Sequence, residues 1–164
     1  MLKARRAFEE GHQRKFLVVL DDTPECERAV VYAARRAERT GGMLAMAYIV
    51  PPSEFQHWLG VEEIMRAEAQ AEADATVDRY VGLIRARGIN LSPERLVLEG
   101  TALEQVTKLI EEDEDIAILV LGSGLDKDGP GPLVTAIASR GGGFPVPVTI
   151  VPGDMDDETV EAIA

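Results

Sequence analysis

Five short apolar runs alternate with longer segments of mixed polarity along the chain. The runs cover residues 16–20, 43–50, 95–98, 116–121 and 147–151. Each ends at a charged or turn-forming residue, and the first is rich in β-branched side chains. Short apolar runs of this kind predict strands that are buried on both faces, as in a parallel sheet.

The segments between the runs repeat apolar residues every three or four positions, which predicts helices. Thr23 is placed to cap the first helix and Pro24 to begin it, because proline has no amide hydrogen to leave unpaired there. The longest apolar stripe extends from Val61 to Ile84. The alternation of strands and helices predicts a single doubly wound α/β domain with a five-stranded parallel sheet.

The composition narrows the classes of function. There are 17 lysine and arginine residues against 29 aspartate and glutamate residues, a net charge of −12 that would repel the phosphates of a nucleic acid. No apolar run approaches the ~20 residues that a membrane-spanning helix needs. One cysteine and two histidines without metal-ligand spacing argue against a disulfide framework and a zinc site. The single cysteine also favours a reducing, cytoplasmic compartment for the protein.

The two ends of the chain differ in composition from the part between them. Residues 1–14 are polar and basic and contain no apolar core of a secretion signal, so we expect a flexible, solvated N-terminal tail. Residues 15–152 form the expected domain. Residues 153–164 are acidic, with only Val160 and Ile163 as a weak amphipathic pattern, and are expected to form a C-terminal tail.

The candidate ligand site lies where the first and fourth strands end. In doubly wound sheets, ligands bind outside the carboxyl ends of the strands, at the point where the strand order reverses. The residues that follow these two strands are Asp21, Asp22 and Thr23 in one case and Gly122, Ser123 and Gly124 in the other. Asp21 has two interpretations of equal weight, a ligand contact or a cap of the following helix. Cys26, on the apolar face of that helix, is expected to be buried and inert.

Several segments together resemble the universal stress protein family. The resemblance extends over residues 15–151 and rests on the opening strand with Asp21, on Glu99 and Gly100, on residues 118–123 and on residues 145–151. It implies a flavodoxin-like fold of the adenine nucleotide alpha hydrolase type, with strand order 3-2-1-4-5. It also implies a homodimer that forms through the last strand, residues 147–151.

The resemblance also implies a phosphate loop after the fourth strand, which this chain matches incompletely. Nucleotide-binding relatives have a glycine, a second glycine three residues on, and a glycine followed by serine or threonine nine residues beyond it. Gly122 matches the first position, whereas the second falls on Leu125, with Gly124 one residue early. The third is best aligned with Val134, and Thr135 takes the hydroxyl position.

Charges and prolines in the same region also argue against phosphate binding. Gly129 and Gly131 add freedom to the loop, but each is followed by a proline without an amide donor. Asp126 and Asp128 would repel a triphosphate, and Asp22 is expected to do so from across the cleft. We therefore predict a degenerate nucleotide site in which ATP binds weakly.

Two further features flank the predicted cleft. Ile49 matches an apolar position whose backbone contacts adenine in relatives, although the sequence favours its interpretation as a core residue. Phe55, His57 and Trp58 follow the second strand, where they either cover the cleft or anchor the start of the long helix.

The sequence thus predicts a stress-response or signalling dimer with a degenerate adenine-nucleotide site. No catalytic residue and no metal ligand is assigned, ATP or another adenine nucleotide is left open as the ligand, and no protein partner is identified. One alternative is a sensor in which ATP or another nucleotide orders residues 122–135. Another is a slow ATP hydrolase that uses Asp21 or Asp126 on a metal. A ligand-free interaction module is a further alternative.

Overall fold

The computed structural model describes residues 3–52, 60–140 and 142–164 of the chain. Phe55, His57 and Trp58 lie outside the described residues. The elements in chain order are β1 (Lys15–Leu20), α1 (Pro24–Thr40), β2 (Met43–Val50), α2 (Val61–Ala86), β3 (Glu94–Glu99), α3 (Ala102–Glu112), β4 (Ile116–Ser123), α4 (Pro132–Ser139), β5 (Val148–Pro152) and α5 (Asp157–Ile163).

The five strands form one parallel sheet in the order β3-β2-β1-β4-β5, which confirms the predicted fold class. The apolar runs give β2 its predicted bounds, and β4 continues two residues past its run to Ser123. Strand β1 lies between β2 and β4, with Leu17 paired to Ala45 on one side and to Leu119 on the other. The strand order reverses between β1 and β4, so their carboxyl ends flank the switch point.

Two apolar layers cover the sheet, because successive residues of each strand point to opposite faces. Phe16, Val18 and Leu20 of β1 pack with α1 and α2, whereas Leu17 packs with α3 and α4. Alanine lines the buried side of α1, so the helix can lie close to the strands. The close packing of α1 on the strands contributes to the shape of the candidate site.

Helix α2 packs on the sheet only through its C-terminal half. The predicted stripe is buried from Ala73 onwards, whereas Val61 and Ile64 are exposed in the first turns. Among the described residues, no helix combines the length and the apolar character that crossing a membrane requires.

The N-terminal segment differs from the predicted solvated tail, because residues 3–14 lie against the body of the domain. The Arg5 guanidinium donates to the backbone carbonyls of Ile110 at 2.6 Å and Asp113 at 3.1 Å. These carbonyls belong to the end of α3, where unpaired acceptors and the helix dipole favour a cation. His12 adds a 2.6 Å contact between its Nδ1 and an Asp115 carboxylate oxygen.

The C-terminal segment also differs from the predicted tail, because it forms α5 and packs on α1. Val160 is fully buried against Val31. Arg35 donates to the Glu161 carboxylate at 2.9 and 3.0 Å, and Arg87 pairs with Asp157 at 2.8 Å. Asp157 and Glu161, two of the acidic residues that suggested a solvated tail, are therefore partners of arginines on the outer face of α1 and at the end of α2.

The central position of β4 gives a test of the fold. Leu119 is fully buried, so Leu119→Asp places an unpaired charge in the core and should lower the free energy of unfolding by several kcal/mol or abolish soluble expression. Leu125→Asp is the matched control, because Leu125 is 64% exposed and its replacement should change stability by less than about 0.5 kcal/mol. Thermal unfolding followed by circular dichroism measures both; equal melting temperatures would contradict the assignment of β4 as a core strand.

Candidate functional site

A cleft of about 230 Å³ opens at the carboxyl ends of β1 and β4, where the strand order reverses. Its walls are mostly apolar, and its polar side chains are those of Asp21, Thr23 and Glu25 together with the Cys26 thiol. No lysine, arginine or histidine is among the described residues that line it. The lining residues are Val19, Leu20, Asp21, Thr23, Glu25, Cys26, Ile49, Ala102, Leu121, Gly122, Pro130, Gly131, Pro132, Leu133 and Val134.

Asp21 is held in place by hydrogen bonds to its backbone and to its side chain. The Tyr80 hydroxyl of α2 donates to the Asp21 carbonyl at 2.7 Å, and burial raises the pKa of Tyr80, which keeps this donor protonated. The Thr23 amide donates to Asp21 Oδ1 at 2.8 Å, and the Thr23 hydroxyl donates to the same oxygen. Oδ2 accepts no hydrogen bond from the described part of the chain, so Asp21 keeps one carboxylate oxygen for a ligand.

The start of α1 differs from its predicted capping. Thr23 is the N-terminal capping residue by position, but its hydroxyl is bonded to Asp21 and not to an amide of the helix. Asp21 therefore orders the turn before α1 through its bonds to Thr23, although its side chain does not cap the helix itself.

The Cys26 thiol is part of the cleft wall and is chemically quiet. Its sulfur accepts from the Asp21 amide at 3.4 Å and donates to the Val19 carbonyl at 3.6 Å. Burial raises the pKa of the Cys26 thiol to about 11, so the reactive thiolate is scarce at neutral pH. This agrees with the inert role expected for it.

Gly122 allows the first turn of α1 to approach the end of β4. A Cβ atom at this position would lie 2.2 Å from the Glu25 carbonyl oxygen and 3.1 Å from the Cys26 amide nitrogen. No side chain fits at such distances, so the position requires glycine for backbone packing. Gly153, just after β5, accommodates the same turn, since a Cβ there would lie 3.0 Å from Glu25 Cβ.

The loop after β4 uses several of its own amides. The Gly124 amide donates to the Pro130 carbonyl at 3.0 Å, and the Gly129 amide donates to the Asp126 carbonyl at 3.0 Å. Gly129 and Gly131 have φ values of 94° and 117°, which favour glycine whether or not a ligand binds. These internal bonds reduce the number of backbone donors that the loop can offer a phosphate.

The structure brings five of the ten predicted site residues into the cleft: Asp21, Thr23, Ile49, Gly122 and Gly131. The other five do not line it: Asp22, Ser123, Gly124, Gly129 and Thr135. Thr135 is exposed in the first turns of α4, and the Ser123 carbonyl accepts from the Gly153 amide at 2.9 Å.

The expected repulsion from Asp22 across the cleft is wrong. Asp22 lies outside the cleft, and its carboxylate pairs with Arg79 of α2 at 3.0 Å. Asp21 lines the cleft whereas Asp22 faces Arg79, so the two adjacent carboxylates do not share a side. Asp126 and Asp128 are exposed in the loop and also do not line the cleft.

Glu25 is the charged cleft residue that the sequence did not assign to the site. Its carboxylate lies against the loop, because a Cβ on Gly124 would be 3.1 Å from Glu25 Oε1. An acidic residue in the first turn of a helix is ordinary, since the helix dipole favours it there. The signal that could have identified it is its position one turn after the first strand, at the sheet edge where β4 also ends.

Comparison with known proteins confirms the resemblance drawn from the motifs. A model of the universal stress protein family matches residues 13–152 of the chain. No curated protein sequence matches the chain significantly.

Solved structures of universal stress proteins share this fold. Universal stress protein UspA from Lactobacillus plantarum is 17% identical with a TM-score of 0.66, and the match covers 91% of this chain and 99% of that one. The Archaeoglobus fulgidus protein in complex with dAMP is 18% identical with a TM-score of 0.59, and the match covers 84% of this chain and 97% of that one. An Arabidopsis thaliana family protein with AMP bound is 16% identical with a TM-score of 0.54, and the match covers 88% of this chain and 94% of that one.

The contact at Gly122 gives a test of the site geometry. Gly122→Ala should lower the free energy of unfolding by about 1–3 kcal/mol, because the added methyl group forces α1 away from β4. Gly142→Ala is the control, since a Cβ there meets no atom within 4 Å. Chemical denaturation measures both variants, and a Gly122→Ala protein as stable as the Gly142→Ala protein would contradict the close approach.

Proposed function

The chain belongs to the universal stress protein family, and from that membership we propose that it is a stress-response protein that binds an adenine nucleotide in the cleft between the ends of β1 and β4. The observation that carries the proposal is the cleft itself, an apolar pocket at the switch point with a few converging polar groups. Sites with this location and lining are typical ligand sites of doubly wound sheets.

Ligands of proteins with the same fold support the adenine class. The Archaeoglobus fulgidus structure contains dAMP and the Arabidopsis thaliana structure contains AMP. In this chain, Ile49, Leu133 and Val134 supply apolar surface that suits a flat base. Asp21 supplies a carboxylate oxygen that can accept from a ribose hydroxyl.

The proposed site is degenerate towards triphosphates. Asp21 and Glu25 are acidic, and cationic side chains are absent from the described lining. Two like charges about 5 Å apart repel by roughly 3 kcal/mol at an effective dielectric constant of about 20. Loop amides already bonded to Pro130 and Asp126 carbonyls offset little of that repulsion.

The alternative of an ATP sensor or slow ATP hydrolase has less support. The hydrolase requires Asp21 or Asp126 to hold a metal beside the phosphates, and Asp126 is exposed in the loop and does not line the cleft. The sensor requires ATP to bind beside the acidic side chains of Asp21 and Glu25. The proposal therefore assigns binding without turnover.

Isothermal titration of nucleotide-free protein with AMP and ATP tests the proposal. AMP should bind, and ATP should bind at least about tenfold more weakly because of the acidic lining. Ala102→Phe fills the cleft and should remove AMP binding, whereas Ala138→Phe, on the exposed side of α4, should leave it unchanged. AMP binding that survives Ala102→Phe, or no AMP binding in the parent protein, would contradict the proposal.

A homodimer through β5 is the second part of the proposed function. Strand β5 pairs with β4 along one edge, and the other edge faces no strand among the described residues. Ile150 is 46% exposed there, whereas Val148 packs against the core layer of α3 and α4. An apolar edge strand of this kind is usually covered in the assembled protein.

Light scattering at micromolar concentration tests the dimer. The parent protein should give about twice 17.8 kDa, and Ile150→Lys should shift the mass towards the monomer because a charged edge resists pairing. Ile163→Lys is the matched control, since Ile163 is equally exposed but lies on α5, which packs on α1. A monomeric parent, or equal effects of the two substitutions, would refute association through β5.

A further inference from the structure

Glu25 is fixed at the edge of the cleft by the packing of its backbone. Its carbonyl oxygen lies where a Cβ on Gly122 would be 2.2 Å away, and its own Cβ faces Gly153. The first turn of α1 therefore cannot shift without displacing the ends of β4 and β5. Because its backbone is fixed in this way, the Glu25 side chain extends from α1 beside the loop after β4.

No cation among the described residues pairs with the negative charge of Glu25. Its carboxylate lies against Gly124, and it makes no ion pair with any residue in the described part of the chain. Glu27, two residues further in the same turn, contrasts with it. Glu27 pairs with Arg28 at 3.2 Å and with Arg87 at 3.6 Å, and it does not line the cleft.

An unpaired carboxylate at this place selects among ligands by charge. Ribose hydroxyl groups can donate to Glu25 and to Asp21 Oδ2, so a nucleoside gains hydrogen bonds in the cleft. Each additional phosphate brings more negative charge towards the same carboxylates. Because the cleft walls are apolar, water screens this repulsion less than it would at an open surface.

We propose that Glu25 sets the ligand class of the cleft, so that it admits nucleosides and nucleoside monophosphates and rejects nucleoside di- and triphosphates. This inference rests on the proposed function and assigns its specificity to one side chain. It also replaces Asp22, Asp126 and Asp128 as the source of the repulsion, since those carboxylates do not line the cleft.

The experiment compares adenosine, AMP and ATP on the parent protein, on Glu25→Gln and on Glu27→Gln by isothermal titration at one ionic strength. Glu25→Gln removes the charge but keeps the shape and a hydrogen-bonding oxygen. It should raise the affinity for ATP about tenfold or more, raise that for AMP less, and leave that for adenosine within about threefold. Glu27→Gln removes an equal charge from the same turn and should leave all three affinities at the parent values.

The outcomes separate this inference from the proposed function. AMP binding with the same ratio of ATP to AMP affinity in the parent and in Glu25→Gln overturns the role of Glu25 and leaves nucleotide binding intact. An equal gain in Glu27→Gln also overturns it, because the effect would then come from net charge. No binding of adenosine or AMP by any of the three proteins removes the proposed function, and the role of Glu25 with it. Melting temperatures of the variants, measured by circular dichroism, show that the compared proteins are folded.

Discussion

The close approach of two backbones, at the first turn of α1 and the end of β4, is the constraint on which the site depends. Only glycine at position 122 lets the Glu25 carbonyl come so near. Because the helix starts beside β4, its first turn forms one wall of the cleft and the loop after β4 forms the other. The buried Cys26 thiol of the same helical turn also lines the cleft. Burial raises its pKa, so it contributes to the wall of the cleft without acting as a nucleophile.

The sheet and its helices were predictable because their signals are local. A run such as residues 43–50 is buried on both faces, and alternation with helical segments leaves few topologies open. The two ends of the chain were not predictable in this way. Arg5 binds carbonyls of α3 more than a hundred residues away, and Arg35 binds Glu161, so these segments are held by distant polar partners that leave no periodic pattern.

The site was predictable in place but only partly in composition. The rule that ligands bind at the ends of strands beside the switch point led to Asp21 and Gly122, and the family resemblance led to Ile49; all three line the cleft. It could not separate Asp21 from Asp22, because the direction of a side chain in a turn depends on its partner, here Arg79. It also missed Glu25, whose position in a first helical turn has an ordinary explanation from the helix dipole.

The glycines of this chain show why a glycine-rich loop alone does not establish a phosphate site. Glycine is needed at position 122 for the packing of α1, and Gly129 and Gly131 are favoured by their positive φ values. Gly124 leaves room for the Glu25 carboxylate, and a negative charge there repels a phosphate. A phosphate loop needs amides that are free and a surrounding charge that is not negative. Here the Gly124 and Gly129 amides are bonded within the loop, and the charged side chains that line the cleft are acidic, which is the physical basis of the proposed discrimination against triphosphates.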